Sequence, residues 1–125
     1  MNRHVRGSLL VTAALLSACA TSHWVSYRQE VRAVLEKNCL TCHTPPGGEG
    51  YLAVGLDMAT WESLMRGTDY GPVVHPGDSR RSILNMLIEG RADPSLRMPH
   101  EAGEPLSAAD VELLRRWVDQ GARDN

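Results

Sequence analysis

The sequence predicts an all-α fold, about four short helices joined by long Gly/Pro loops, and three observations carry that expectation. Apolar residues recur at helical spacing in several short stretches. No segment alternates apolar and polar residues over a useful strand length, and there is no internal repeat. Capping residues and glycines stand where such helices would start and stop. A chain of 125 residues allows one domain.

The elements follow in order. Ser26 with Gln29 reads as a capping box, and Tyr27, Val31, Val34 and Leu35 keep helical spacing up to about Asn38. Residues 44–55 (TPPGGEGYLAVG) hold two Pro and four Gly and read as a loop. Thr60 is placed to cap a short helix through Met65, with Gly67 beyond its end. Pro76-Gly77-Asp78 is a turn, and Asp78 or Ser79 caps the next helix. Its apolar stripe is Ile83, Leu84, Leu87 and Ile88, and Gly90 ends it. Residues 91–106 contain Pro94, Pro99 and Pro105 and form a second loop. Ser107 with Asp110 opens the last helix, which turns Val111, Leu114, Trp117 and Val118 inward before Gly121.

Composition removes several function classes. The chain is 42% hydrophobic and 22% charged, as soluble globular proteins are. Thirteen basic against fifteen acidic residues give a formal charge of −2, without the basic excess of a nucleic-acid binder. Three cysteines, at 19, 39 and 42, cannot make a dense disulfide scaffold. Rings are scarce: three Trp, three Tyr and no Phe leave a small core short of its usual bulk.

The N-terminus reads as an address. Arg3 and Arg6 precede the apolar run Ser8–Ala18 (SLLVTAALLSA), which is too short to span a bilayer. It ends in Leu16-Ser17-Ala18-Cys19, which resembles the bacterial lipobox, where the cysteine is acylated and the preceding peptide removed. On that reading residues 1–18 are a cleaved lipoprotein signal peptide, 19–25 a lipidated tether and 26–125 the folded domain. The plainer alternative is an ordinary signal cut at Ala18 or Ala20, with Cys19 incidental. Acylation at two positions would satisfy the requirement for stable membrane anchoring. Loss of Arg3 and Arg6 leaves eleven basic against fifteen acidic residues, a formal charge of −4. Ala20 rather than Asp follows Cys19, so the inner-membrane retention signal of some enteric bacteria is absent, which favours the outer membrane for the tether without deciding between the two.

Cys39-Leu40-Thr41-Cys42-His43 carries the chemistry. Positions i, i+3 and i+4 project from one face of a single turn. Two thiols there can add to the two vinyl groups along one edge of a haem, and the adjacent imidazole reaches the iron. The string therefore points to one covalently attached haem c, with Cys39 and Cys42 as thioether donors and His43 on the iron. A structural zinc site wants four ligands in two pairs, and the second pair is missing. A thioredoxin-like motif needs strands. A Cys39–Cys42 disulfide closes too small a loop to stabilise much.

The second iron ligand is chosen among Met58, Met65, Met86 and Met98. Met65 and Met86 lie inside helical patterns, where methionine fills core. Met58 precedes a short helix, fifteen residues past His43. Met98 stands in the long loop directly before Pro99, which disfavours helical geometry, and neighbouring prolines reduce the entropy lost when a ligand loop orders. Met98 is the first candidate, and a His/Met pair raises the reduction potential. His75 and His100 are rivals, and either would give bis-His iron.

From Tyr27 to Ala122 the chain resembles class I cytochromes c, particularly the short bacterial planctomycete-type domains. The matching pieces are VRAVLEKNCLTCH, GLDMATWESLMRG, GPVVHPGDSRRSILNMLI, RMP and LSAADVELLRRWVDQGA, in that order. The resemblance implies a class I cytochrome c fold wrapped around one haem, with His43 proximal and Met98 distal. It also implies that the first and last helices cross at Trp117. Met98-Pro99-His100 departs from the pattern, in which a second proline often follows. Arg80, Arg81, Arg91 and Arg97 are candidates to pair with haem propionates, although each reads more simply as solvated; Trp61 reads as core.

The implied function is one-electron transfer rather than catalysis, on the periplasmic side of a bacterial membrane and held there by a lipid anchor. The acidic balance suits redox partner proteins with a basic docking face. Two other readings stay open: a haem-based gas or redox sensor with a weak or absent distal ligand, and a cytochrome subunit docked on a dehydrogenase or oxidase. A porphyrin would also fill the centre that the scarce rings leave.

Overall fold

The computed structural model describes residues 23–100 and 104–125, so the expected signal peptide and Cys19 lie outside the described residues. Those residues are helical and form no strand, only an isolated bridge between Thr68 and Gly71. A π-type turn, Tyr27–Val31, runs directly into α1, Arg32–Asn38. Then come α2, Glu49–Val54, α3, Trp61–Arg66, and α4, Ile83–Ile88. A 3₁₀ turn, Pro94–Leu96, precedes α5, Ala108–Asp119.

Local capping explains most of the helix starts. Thr60 and Ser63 exchange backbone and side-chain bonds at 3.1 Å in both directions, and Ser107 Oγ accepts the Asp110 N–H at 3.1 Å. At the first helix Ser26 Oγ accepts the Gln29 N–H at 3.2 Å, but the return bond comes from Glu30, not Gln29. The wider π turn brings residue 30 over the Ser26 N–H, which Glu30 Oε2 accepts at 2.8 Å.

Three expectations need correction. First, α4 starts at Ile83 with Ser82 as its cap position, not at Asp78 or Ser79. Asp78 closes a separate turn, its Oδ1 accepting the Arg81 N–H and its carbonyl the Ser82 N–H and Oγ. Second, α2 stands inside the predicted loop 44–55. None of its six residues is buried, so it shows no apolar period; main-chain bonds such as Leu52 N–H to the Gly48 carbonyl (2.9 Å) hold it. Third, the loop 91–106 contains the 3₁₀ turn, capped by Asp93 on the Ser95 N–H. Gly90 and Gly121 end their helices as expected, with the following residues donating back to Met86 and Trp117.

The core runs from Val25 to Ala122 and includes Val31, Leu35, Leu64, Leu114 and Val118. Trp117 is 1% exposed, lies 5.6 Å from the Tyr27 ring and donates Nε1–H to the Arg123 carbonyl at 3.0 Å. The first and last helices therefore meet through the π turn, around Trp117. Trp61 is part of the same packing and donates Nε1–H to the Ala122 carbonyl at 2.8 Å.

Candidate functional site

The site begins where α1 ends. The Cys39 N–H completes the helix on the Leu35 carbonyl, and the Cys39 carbonyl then accepts both the Cys42 N–H (3.2 Å) and the His43 N–H (2.9 Å). One acceptor closing two bonds winds residues 39–43 into a single turn, so Cys39, Cys42 and His43 border one cavity. Two further bonds hold the turn from outside: Tyr51 N–H to the Cys42 carbonyl at 2.9 Å, and Met58 N–H to the His43 carbonyl at 2.8 Å.

The cavity measures about 860 Å³, near the upper end of the ~300–1,000 Å³ that small-molecule sites occupy. Ile83, Leu84, Leu87 and Ile88 of α4 line it, with Val73 and Leu106, so its walls are largely aliphatic. Met98 lines it too, placed by its N–H on the Leu87 carbonyl at 3.3 Å. Arg91 folds the preceding loop back by donating to the Ser79 and Arg80 carbonyls and pairing with Glu89. Met58 and His100 also border the cavity; His75 does not. None of Arg80, Arg81, Arg91 and Arg97 lines it.

His43 is 8% exposed, and its Nδ1 is buried with no hydrogen-bond partner. Burial pushes its imidazole below the ordinary histidine range; the Leu56 backbone opposes this without reaching hydrogen-bond geometry at Nδ1. Gly50, in the first turn of α2, lies against this ring. A Cβ there would stand 2.5 Å from Cε1 and 2.8 Å from each ring nitrogen. Only glycine lets α2 lie so close, and the contact fixes the imidazole plane. Gly50 is the functional residue that sequence reasoning missed. The available signal was a glycine inside the helix-length run EGYLAV, where it costs about 1 kcal/mol against alanine and needs a packing reason.

The two thiols differ. Burial, and then the neighbouring Cys42, push the Cys39 thiol up to about 11, whereas Cys42 is exposed. In the haem-free protein at pH 8, Cys42 is expected to react with iodoacetamide at least about tenfold faster than Cys39, the higher nucleophilicity of a raised-pKa thiolate offsetting part of the difference. Equal rates by peptide mass mapping would contradict the burial of Cys39.

The donor set fits haem c. The His43 imidazole, two thiols and the thioethers of Met58 and Met98 border one aliphatic cavity, with His100 at its edge, and Nδ1 of the buried His43 ring has no hydrogen-bond partner. Among the described residues no three His, Cys, Asp or Glu side chains gather as a site for a bare ion.

A family model described as Planctomycete cytochrome C matches residues 39–101. No curated protein and no solved structure matches. The matched span runs from the first cysteine of the turn past Met98, and it contains every lining residue of the cavity except Asn38 and Leu106. With the attachment turn, the cavity and half the chain in agreement, the protein belongs to the planctomycete cytochrome c family.

Proposed function

We propose that this protein is a monohaem c-type cytochrome of the class I fold, a one-electron carrier tethered by lipid on Cys19 to the periplasmic side of a bacterial membrane. The observation that supports this reading best is the placing of Cys39, Cys42, His43 and Met98 around one aliphatic cavity. In this proposal Cys39 and Cys42 hold haem c as thioethers, His43 is the proximal ligand and Met98 the distal one. Bound there, haem c supplies one-electron cycling between ferrous and ferric iron.

The chain's own contribution is positional. Gly50 sets the plane of the His43 ring, and the Leu87 carbonyl fixes the backbone that carries Met98. Leu84, Ile88 and Leu106 are buried in the cavity wall and lower the local dielectric there. The acidic balance of the chain favours a basic partner face, with association that weakens as salt rises.

The ferric optical spectrum tests the ligand assignment. Met98→Ala is expected to lose the methionine-to-iron charge-transfer band at the red end, while Met58→Ala keeps it. Loss of the band in Met58→Ala alone would move the ligand to Met58. Ready carbon monoxide binding by the ferrous wild type would favour a sensor over a carrier.

A further inference from the structure

The chain joins the fold at a defined place. The His23 carbonyl accepts from Arg116 Nη2 at 2.8 Å and from Gln120 Nε2 at 3.0 Å. The Val25 N–H donates to Gln120 Oε1 at 2.8 Å, and Asn125 Nδ2 donates to the Val25 carbonyl at 3.2 Å. Trp24, between them, lies 4.5 Å from the Arg123 guanidinium yet stays 52% exposed. Cys19 stands four residues before His23, and four residues reach at most about 14 Å when fully extended. A domain pinned at His23 and acylated at Cys19 must keep that end close to the bilayer surface.

The chemistry of that end suits a lipid surface. An exposed indole is the ring that settles at membrane–water interfaces. Arg116 and Arg123 have no carboxylate within 4 Å among the described residues; Arg116 donates through Nη2 to the His23 carbonyl and Arg123 stacks on Trp24, and their remaining N–H donors suit headgroup phosphates. The nearby acids are already engaged, Asp124 by Arg28 at 2.8 Å and Glu30 by His23 at 3.1 Å.

We propose, resting on the reading that Cys19 is acylated, that the end bearing Trp24, Arg116 and Arg123 lies on phospholipid headgroups and holds the cavity off the bilayer. Both long helical segments set that separation. The first runs from Tyr27, beside the pinned residues, to the Cys39 turn, roughly 17 Å at 1.5 Å per residue. The other, α5, runs roughly 18 Å from beside Leu106 on the cavity wall to the Gln120 that holds His23. The partner that reaches the cavity is then a protein in the aqueous phase, not a carrier dissolved in the hydrocarbon.

Hydroxyl-radical footprinting of the haem-loaded protein tests this. Full-length protein on phosphatidylethanolamine/phosphatidylglycerol vesicles is compared with the Cys19→Ser form in solution, and intact mass reports acylation. Trp24 oxidation is expected to fall severalfold on vesicles, while Tyr70 and Leu96 at the cavity, 85% and 51% exposed, keep their solution rates. Acylated protein with Trp24 unprotected, or with Tyr70 protected, overturns the orientation and leaves the tether standing. A mass without acyl chains overturns the tether, and this contact with it.

Discussion

Trp117→Ala is expected to destabilise the domain by about 3–5 kcal/mol, between about a fifth and all of the ~5–15 kcal/mol that keeps a small domain folded. The indole is 1% exposed and fills the joint between the π turn and α5 against Tyr27. Its removal leaves a void between two elements that the rest of the core cannot close, because Val31, Leu114 and Val118 are already fully buried there. It also strips the Arg123 carbonyl of its 3.0 Å donor. Trp117→Phe keeps one aromatic ring but removes the pyrrole half of the indole together with the hydrogen bond, so its loss should be clear yet smaller than that of Trp117→Ala. Urea unfolding at constant slope separates the two; a Trp117→Ala midpoint equal to wild type would refute the account of this joint.

Gly50→Ala is expected to destabilise by about 1–3 kcal/mol, the cost of overpacking a close contact. Helix propensity alone predicts the opposite sign, a gain of up to ~1 kcal/mol. The contact decides, since the added carbon would stand 2.5 Å from His43 Cε1. Either the imidazole rotates or α2 withdraws, and in the proposed ligation both would change how His43 reaches the iron. The low-spin signature of the haem-loaded protein should therefore fall along with stability. Gly47→Ala is the control, having nothing within 4 Å of the added carbon. A Gly50→Ala protein as stable as the control, with an unaltered spectrum, would show that α2 does not set the ring.

Legibility from the sequence tracked how local each feature is. That Cys39, Cys42 and His43 meet at one cavity was readable because their spacing spans a single turn, and the two bonds closed on the Cys39 carbonyl deliver that turn. The Thr60 and Ser107 caps were readable because capping bonds span three residues. The inward stripe of α5 was readable because Leu114, Trp117 and Val118 are buried on one side. In contrast, α2 has no such stripe; it is held by the backbone of the attachment turn, a contact that apolar periodicity does not record. Asp78 looks like a helix cap in sequence, and only the loop around it shows that its carboxylate and carbonyl close a separate turn. Glu30 displaced Gln29 from the capping box through the geometry of a π turn that no residue pattern announces. Met98 was singled out from its proline, but the bond that sets it at the cavity, its N–H on the Leu87 carbonyl, joins the loop to a helix eleven residues earlier and leaves no local pattern.

Solvent extraction tests the proposed covalent haem most directly. Protein made in an exporting host with haem-attachment machinery, then treated with acid–acetone, is predicted to keep its haem absorbance on the denatured chain. Mass spectrometry should find one haem per polypeptide, lost when Cys39 and Cys42 are both replaced by serine. Haem that passes into the acetone, or a chain that carries none, would contradict the account.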